Sequence, residues 1–409
     1  MKKTKKTNKL RVPYALTVYG KEEIAAVNKV LKDPTKIVSG PKVKEFESKI
    51  AVIFGKKHGI MVNSGSSANL IALSVLNIPR GSEVITPILT FATTLAPIVQ
   101  LGLVPVFADV KEGSYQIDEN QIESLITEKT KALMIPSLIG NIPNLEKLQQ
   151  IAQKHKLFLI EDSCDTLGAK YAGKPTGHYS DVSTTSFYAS HIITTAGLGG
   201  MVCFNDNDLA RRAVVMANWG RESTLFGFYE ESEALKKRMA GVLDGETYDA
   251  KFIFSEIGYN FQATELNGAF GLVQLKRLKK FSKIRHDSFK ELMNFFKKYE
   301  KFFILPVQDK KADTNWLSFP LVLKSDVGFS RAEITKYLEE QNIQTRPIFT
   351  GNVLKQPAFK NIESRTRSEG YPIAEHVMKN GFLIGCHQGL TKKHIAYLKE
   401  NFVNFLKDK

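Results

Sequence analysis

Residues 157–169 read LFLIEDSCDTLGA. Four apolar residues in a row are too few for a helix, and the acids Glu161 and Asp162 with a break at Gly168 bound them as a buried strand. Open α/β sheets collect ligands at the carboxyl edge of their strands, so Asp162 stands where a bound group would meet a negative charge. Such an acid can hold a protonated heterocyclic nitrogen, although the same residue could equally cap a helix or end a strand in solvent.

The pattern repeats on both sides of this stretch. Short apolar runs recur at 59–62, 83–86, 104–110, 132–135, 182–187 and 201–204, separated by helix-like segments such as 121–126 and 145–155. That alternation predicts a wound α/β sheet with covering helices. A helix is read in FSEIGYNFQATELNGAFGLVQLKRL, entered through Gly258, and a further basic helix over 276–298 bridges to a smaller unit. From Asn315 onward WLSFPLVL reads as a strand and SRAEITKYLEEQ as a helix capped by Ser330, so a large domain over 1–275 and a small α+β domain over 276–409 are expected. Residues 222–249 show little periodicity, and residues 1–12 are expected to be flexible.

Composition sets broad limits. The 409 residues are 43% hydrophobic and 24% charged, as in ordinary globular enzymes, and no run is long enough to cross a bilayer. The net charge of +15 invites a nucleic-acid partner, but the lysines are scattered and their densest run is the terminal MKKTKKTNK; solvated charge that also draws in anionic substrates is the expectation, with no nucleic acid and no membrane. Three cysteines, Cys164, Cys203 and Cys386, lack the spacing of a disulfide framework or a zinc site, and buried free thiols in a reducing cytoplasm are expected.

Two further stretches carry polar chemistry. NSGSSAN (63–69) follows a strand and opens a helix, where Gly65, Ser66 and Ser67 could receive a phosphate or merely form an N-cap. SFYASHIITTAGLGG (186–200) sets Ser186 at a strand end and His191 in the glycine-broken turn that follows. A histidine there is either structural or a proton carrier near neutral pH.

In order and separation these three pieces resemble the DegT/DnrJ/EryC1/StrS sugar aminotransferases, pyridoxal-phosphate proteins of fold type I, over about residues 17–400. The resemblance implies a mainly parallel seven-stranded sheet with a small C-terminal α+β domain. In that family S-F-x-x-x-K carries the lysine that tethers the cofactor; here His191 occupies its place. Imidazole can shuttle protons but cannot anchor an aldehyde. The exchange points to the family's 3-dehydratase branch, which holds pyridoxamine 5′-phosphate or pyridoxal 5′-phosphate without a covalent bond. RPIFTGNVLKQP (346–357) and KNGFLIGCHQ (379–388) resemble the GDP-4-keto-6-deoxy-D-mannose 3-dehydratases within it.

The resemblance also assigns roles by position. His191 is the acid and base; Gly65, Ser66, Ser67 and Ser186 receive the phosphate; Asp162 faces the ring nitrogen and Phe91 stacks on the ring. Asp165 sits near the phenolic oxygen, where the family has Gln or Glu, and Arg346 meets an anionic group of the substrate or amino acid. Asn260, in GYN, would reach the partner subunit's cofactor across a homodimer, and glutamate would renew the amine. The turn AGLGG is one residue longer than the family pattern, which puts Leu198 in an unexpected place. A related branch acting on CDP sugars holds an iron–sulfur cluster on four thiolates. No cysteine lies between Trp219 and Asn260, so no cluster and no other metal is expected. The rival readings are an aminotransferase using another lysine and a catalytically silent protein on the same fold.

Overall fold

The computed structural model describes residues 9–407 and 409. Seven strands form the central sheet: β1 (His58–Val62), β2 (Glu83–Pro87), β3 (Val104–Ala108), β4 (Thr130–Pro136), β5 (Phe158–Asp162), β6 (Val182–Ser186) and β7 (Gly200–Phe204). They lie in the order β1-β7-β6-β5-β4-β2-β3, with β7 antiparallel to both neighbours and every other pairing parallel. Each apolar run read in the sequence is one of these strands.

Register decides where the polar ends meet. Gly200, the first residue of β7, pairs with Val62 on one side and Ser186 on the other, and Asp162 pairs with Thr184 on β6. The carboxyl ends of β1, β6 and β5 therefore open onto one edge, and the segments that follow them share one crevice.

Helices cover the sheet because their apolar spacing requires it. Leu145–His155 buries Leu145, Leu148, Ile151 and Ala152 on one stripe, and the Asn144 side chain caps it by accepting from the Lys147 N–H at 3.0 Å.

The bridge is a single helix, Glu265–Phe296, rather than two. It begins after Gly258, at Thr264, whose capping box with Asn267 fixes the first turn, and it runs unbroken across the expected domain boundary. Its 32 residues span about 48 Å at 1.5 Å per residue. The buried Glu265 carboxylate accepts from the N–H groups of Lys42 (2.7 Å) and Val43 (3.1 Å), at the start of the helix Pro41–Phe54.

The small unit is a four-stranded antiparallel sheet, Phe303–Ile304, Ser318–Leu323, Gly381–Gly385 and Thr345–Pro347, with the helices Arg331–Glu340, Pro372–Asn380 and Lys392–Leu406. Ser330 caps the first of these helices, as its sequence predicts. The expectation of a flexible 1–12 is corrected for residues 9–12. Val12 is buried and bridges Ile343, exchanging backbone hydrogen bonds with Asn342 and Gln344 at 2.9 Å each. Residues 1–8, most of the terminal lysine run, lie outside the described residues. The aperiodic 222–249 contains a hairpin, Gly241–Leu243 with Glu246–Tyr248, turning on Asp244 and Gly245 at φ +52° and +85°. The Asp-Gly pair was its signal.

Candidate active site

A cavity of about 570 Å³ lies at the shared crevice, closed on one side by the small unit. Gly65, Ser66, Asp162, Ser186 and His191 line it, and so do Phe91, Asp165 and Arg346. Elements more than 280 residues apart thus converge on one cavity.

Asp162 is buried at the end of β5 and three groups orient it. Asn69 Nδ2 (2.8 Å) and Thr94 Oγ1 (2.7 Å) donate to Oδ2, while the Cys164 N–H donates to Oδ1 at 3.1 Å. Asn69 is itself fixed, because its Oδ1 accepts from Thr184 Oγ1 at 2.6 Å. A buried carboxylate so held is a preorganised partner for a cationic ring nitrogen.

Above it, the helix Gly65–Ser74 starts with Gly65 and Ser66 at the cavity. A Cβ on Gly65 would lie 2.6 Å from Ser186 Cβ and 2.7 Å from Cys164 Sγ, so only glycine lets the three strand ends close up. Ser67 is not part of the lining: its hydroxyl donates to Asn63 Oδ1 at 2.6 Å and its N–H to the capping Ser64 at 3.1 Å. The sequence alone could not separate Ser66, which lines the cavity, from Ser67, which is spent on bonds to Asn63 and Ser64.

His191 follows β6 in a turn tied down by its own hydroxyls. Thr194 Oγ1 donates to the Phe187 carbonyl and accepts from the Gly197 N–H at 2.9 Å, and Asn267 Nδ2 donates to the Thr195 carbonyl at 2.7 Å. The His191 Nδ1–H donates to the Cys164 carbonyl, which leaves Nε2 with the lone pair and no partner among the described residues. Burial pulls its pKa down to about 4; the Cys164 carbonyl and the Asp162 charge oppose that shift, and the Arg285 charge adds to it. The ring is neutral at pH 7. Asp165 moves the other way, up to about 7, chiefly through burial and secondarily through the Asp162 charge, against a hydrogen bond from the Ile139 N–H at 2.9 Å.

Phe91 is half-exposed on the wall and meets Phe349 edge-on at 5.8 Å between centroids. Leu198, the extra residue of the turn, also faces the cavity in a loop whose Ala196, Gly197 and Gly199 take positive φ. Arg346 lies over the Tyr14 ring at 5.6 Å. Asn260 is exposed and outside this chain's cavity. Cys203 and Cys386 are buried, but Cys164 is only partly so and borders the cavity, because the side chain missing at Gly65 leaves its sulfur uncovered. Among the described residues no lysine lines the cavity, and no group of three His, Cys, Asp or Glu side chains is placed to hold a metal.

Sequence reading missed Tyr14, Asn69, Thr94 and Ser137. Asn69 stood inside the quoted NSGSSAN, one helical turn beyond Gly65, and Thr94 three residues after Phe91. Tyr14 gave no local signal, since it arrives through an isolated bridge between Val12 and the distant Ile343.

Comparison with known proteins agrees with this geometry. The model of the DegT/DnrJ/EryC1/StrS aminotransferase family matches residues 18–403. The lipopolysaccharide biosynthesis protein RfbH of Salmonella typhimurium is 37% identical, over 88% of this chain and 84% of its own. The dTDP-4-dehydro-2,6-dideoxy-D-glucose 3-dehydratase of Saccharopolyspora spinosa is 36% identical, over 94% of this chain and 84% of its own. A crystal structure of GDP-4-keto-6-deoxymannose-3-dehydratase with a trapped PLP-glutamate geminal diamine superposes with a TM-score of 0.83 at 29% identity, covering 96% of this chain and all of the other. Among the described residues no helix is long and apolar enough to cross a membrane. With fold, strand-end acid and helix-start glycine in place and the match spanning nearly the whole chain, the protein belongs to the DegT/DnrJ/EryC1/StrS aminotransferase family.

Proposed function

We propose that this chain is a pyridoxamine/pyridoxal 5′-phosphate-dependent 3-dehydratase of a nucleotide-linked 4-keto-6-deoxyhexose, with GDP-4-keto-6-deoxy-D-mannose as its substrate. The observation that carries the reading is His191 standing in a cavity that no lysine among the described residues lines, with Nδ1 pinned and Nε2 without a partner among them. The 3-dehydratases among its similar proteins support the same reaction, and the glutamate trapped in one of them supports that amino acid as amine donor.

The cavity fits the cofactor by its own features. The Asp162 carboxylate is held by three donors, a Cβ at Gly65 would fill the cradle where β1, β5 and β6 end, and the buried Ser137 hydroxyl on the wall lacks a partner. When bound, the cofactor supplies an amine for the C4 ketone and a ring that accepts an electron pair. Asp162 holds a proton at the ring nitrogen, the helix start at Gly65 and Ser66 with Ser186 receives the phosphate, and Phe91 covers the ring face. His191 Nε2 removes a proton and returns one to the departing C3 hydroxyl, which leaves as water. The sugar would leave as the 4-keto-3,6-dideoxy ketone together with ammonia, the two electrons that reduce C3 being those the amine form of the cofactor gives up on becoming the aldehyde, which glutamate would convert back to the amine. Arg346 meets an anionic group of the sugar nucleotide or of glutamate.

A cytoplasmic homodimer completes the reading. Trp219, Phe252, Phe254 and Ile257 form an exposed apolar surface beside Asn260, with Ile257 94% exposed, and a second copy would cover it.

The test is direct. Purified protein given pyridoxamine 5′-phosphate, glutamate and GDP-, CDP- or dTDP-linked 4-keto-6-deoxy sugar is expected to release ammonia and a 3-deoxy product. An amino sugar instead would establish an aminotransferase, and no product with any nucleotide would leave a silent protein.

A further inference from the structure

Arg285 is 1% exposed in the middle of the bridging helix. Its hydrogen bonds go to no carboxylate. Nε donates to Gln388 Oε1 at 2.7 Å, Nη1 donates to the carbonyls of Trp316 (3.1 Å) and Leu317 (3.0 Å), and Nη2 has no partner. A cation taken out of water without a counter-charge is costly, and carbonyl oxygens compensate it only in part. A structural role alone would be met better by an apolar residue.

Its partners show what the charge organises. Leu317 lines the cavity at the start of a small-domain strand, and Gln388 follows another strand of the same sheet. Because Gln388 Oε1 faces the guanidinium, its amide has one orientation, and Nε2 donates to the Ile192 carbonyl at 3.1 Å. Ile192 is the residue after His191. The chain of contacts therefore runs from the bridging helix through the small domain to the peptide that carries the proposed proton carrier.

We infer that Arg285 and Gln388 are positioning residues that hold the His191 turn in register with the small domain, so that Nε2 faces the cavity only when the two units are seated together. The Cys164 carbonyl fixes the ring from the large-domain side, and Gln388 fixes the backbone from the opposite side. The buried positive charge also opposes a second proton on the imidazole. This inference rests on the proposed role of His191.

The experiment uses the full chain with bound pyridoxal 5′-phosphate and ¹⁵N-histidine, the His191 ring signals being assigned by their loss in His191→Asn. Gln388→Glu keeps an acceptor for Arg285 and loses the donor to Ile192; Gln388→Leu loses both. In each, the His191 signals are expected to move toward those of an imidazole exchanging tautomers. The kcat is expected to fall about 10²-fold, as for a small misplacement of a reacting group. Arg285→Lys, which keeps the charge but loses the fork, should produce the same spectral change. Unaltered His191 signals in folded Gln388→Glu and Gln388→Leu would overturn the inference, even if thermal stability fell. The spectrum does not depend on turnover, so an inactive parent enzyme would defeat the dehydratase reading and leave this one decided.

Discussion

His191 donates through Nδ1 to the carbonyl oxygen of Cys164, two residues beyond Asp162. The segment that follows the strand of Asp162 thus also sets the His191 tautomer. One side chain in the cavity is a carboxyl group oriented by three donors, the other is an imidazole open at Nε2, and a short backbone segment ties their positions together.

Replacing His191 separates its two possible uses. His191→Asn removes proton transfer and should lower kcat by about 10²- to 10⁴-fold, the usual share of a general acid–base. His191→Lys should lose dehydration as well, but capture pyridoxal phosphate covalently; borohydride reduction and peptide mapping would place the label at residue 191. Full dehydratase activity in either variant would remove His191 from the mechanism.

The pH profile of kcat/KM should show its acidic limb near 4, where His191 takes up a proton, and not near the ordinary value of 6.5. A second inflection near 7 should report Asp165, protonated below it and able to donate a hydrogen bond. Asp165→Asn, which mimics the protonated form, should abolish the upper inflection and leave the lower one.

Stability follows from the same shifts with opposite signs. His191 binds fewer protons when folded than when unfolded between pH 6.5 and about 4, so it costs stability as pH falls through that window. Asp165 binds more protons when folded between 3.8 and about 7, so its cost grows as pH rises through that window. Urea midpoints across pH 4–8 should therefore tilt in opposite directions in His191→Asn and Asp165→Asn relative to the parent.

Glu265→Ala should destabilise the fold without touching the cavity, because it strands the N–H groups of Lys42 and Val43 at the start of a helix. The expected loss is about 1–3 kcal/mol, the cost of leaving buried donors unsatisfied. Chemical denaturation reads it; an unchanged midpoint would show that water replaces the carboxylate.

If the proposed dimer forms through this surface, Ile257→Asp should leave a monomer in sedimentation experiments, since it places a charge where a second copy would cover apolar side chains. A parent chain that is already monomeric would end that reading.

Much of this molecule was legible in its sequence. Apolar runs marked all seven strands of the central sheet, the antiparallel β7 included, because strands covered on both faces are buried along their length, and Ser330 announced its helix through cap chemistry. Asp162 followed from the rule that ligands gather at strand ends, whereas Ser186 was assigned through the family resemblance; both line the cavity. What failed to show was tertiary: Ser67 and Ser66 are indistinguishable until the helix start is built, and Tyr14 reaches the site only because Val12 pairs with Ile343. Gly258 was read as a helix entrance because apolar spacing continues there, whereas the capping box at Thr264 sets the start. The Arg285 contacts could not be read from sequence at all, since burial of a charge is the opposite of what its residue type predicts.

The pairing of Val12 with Ile343 has a practical consequence for handling this enzyme. Tyr14 stands two residues beyond that stitch and lines the cavity, so losing the Val12 pairing would release one residue of the chamber's wall. Purification handles belong at the opposite end, and trimming past Lys9 would unpick a seam of the pocket.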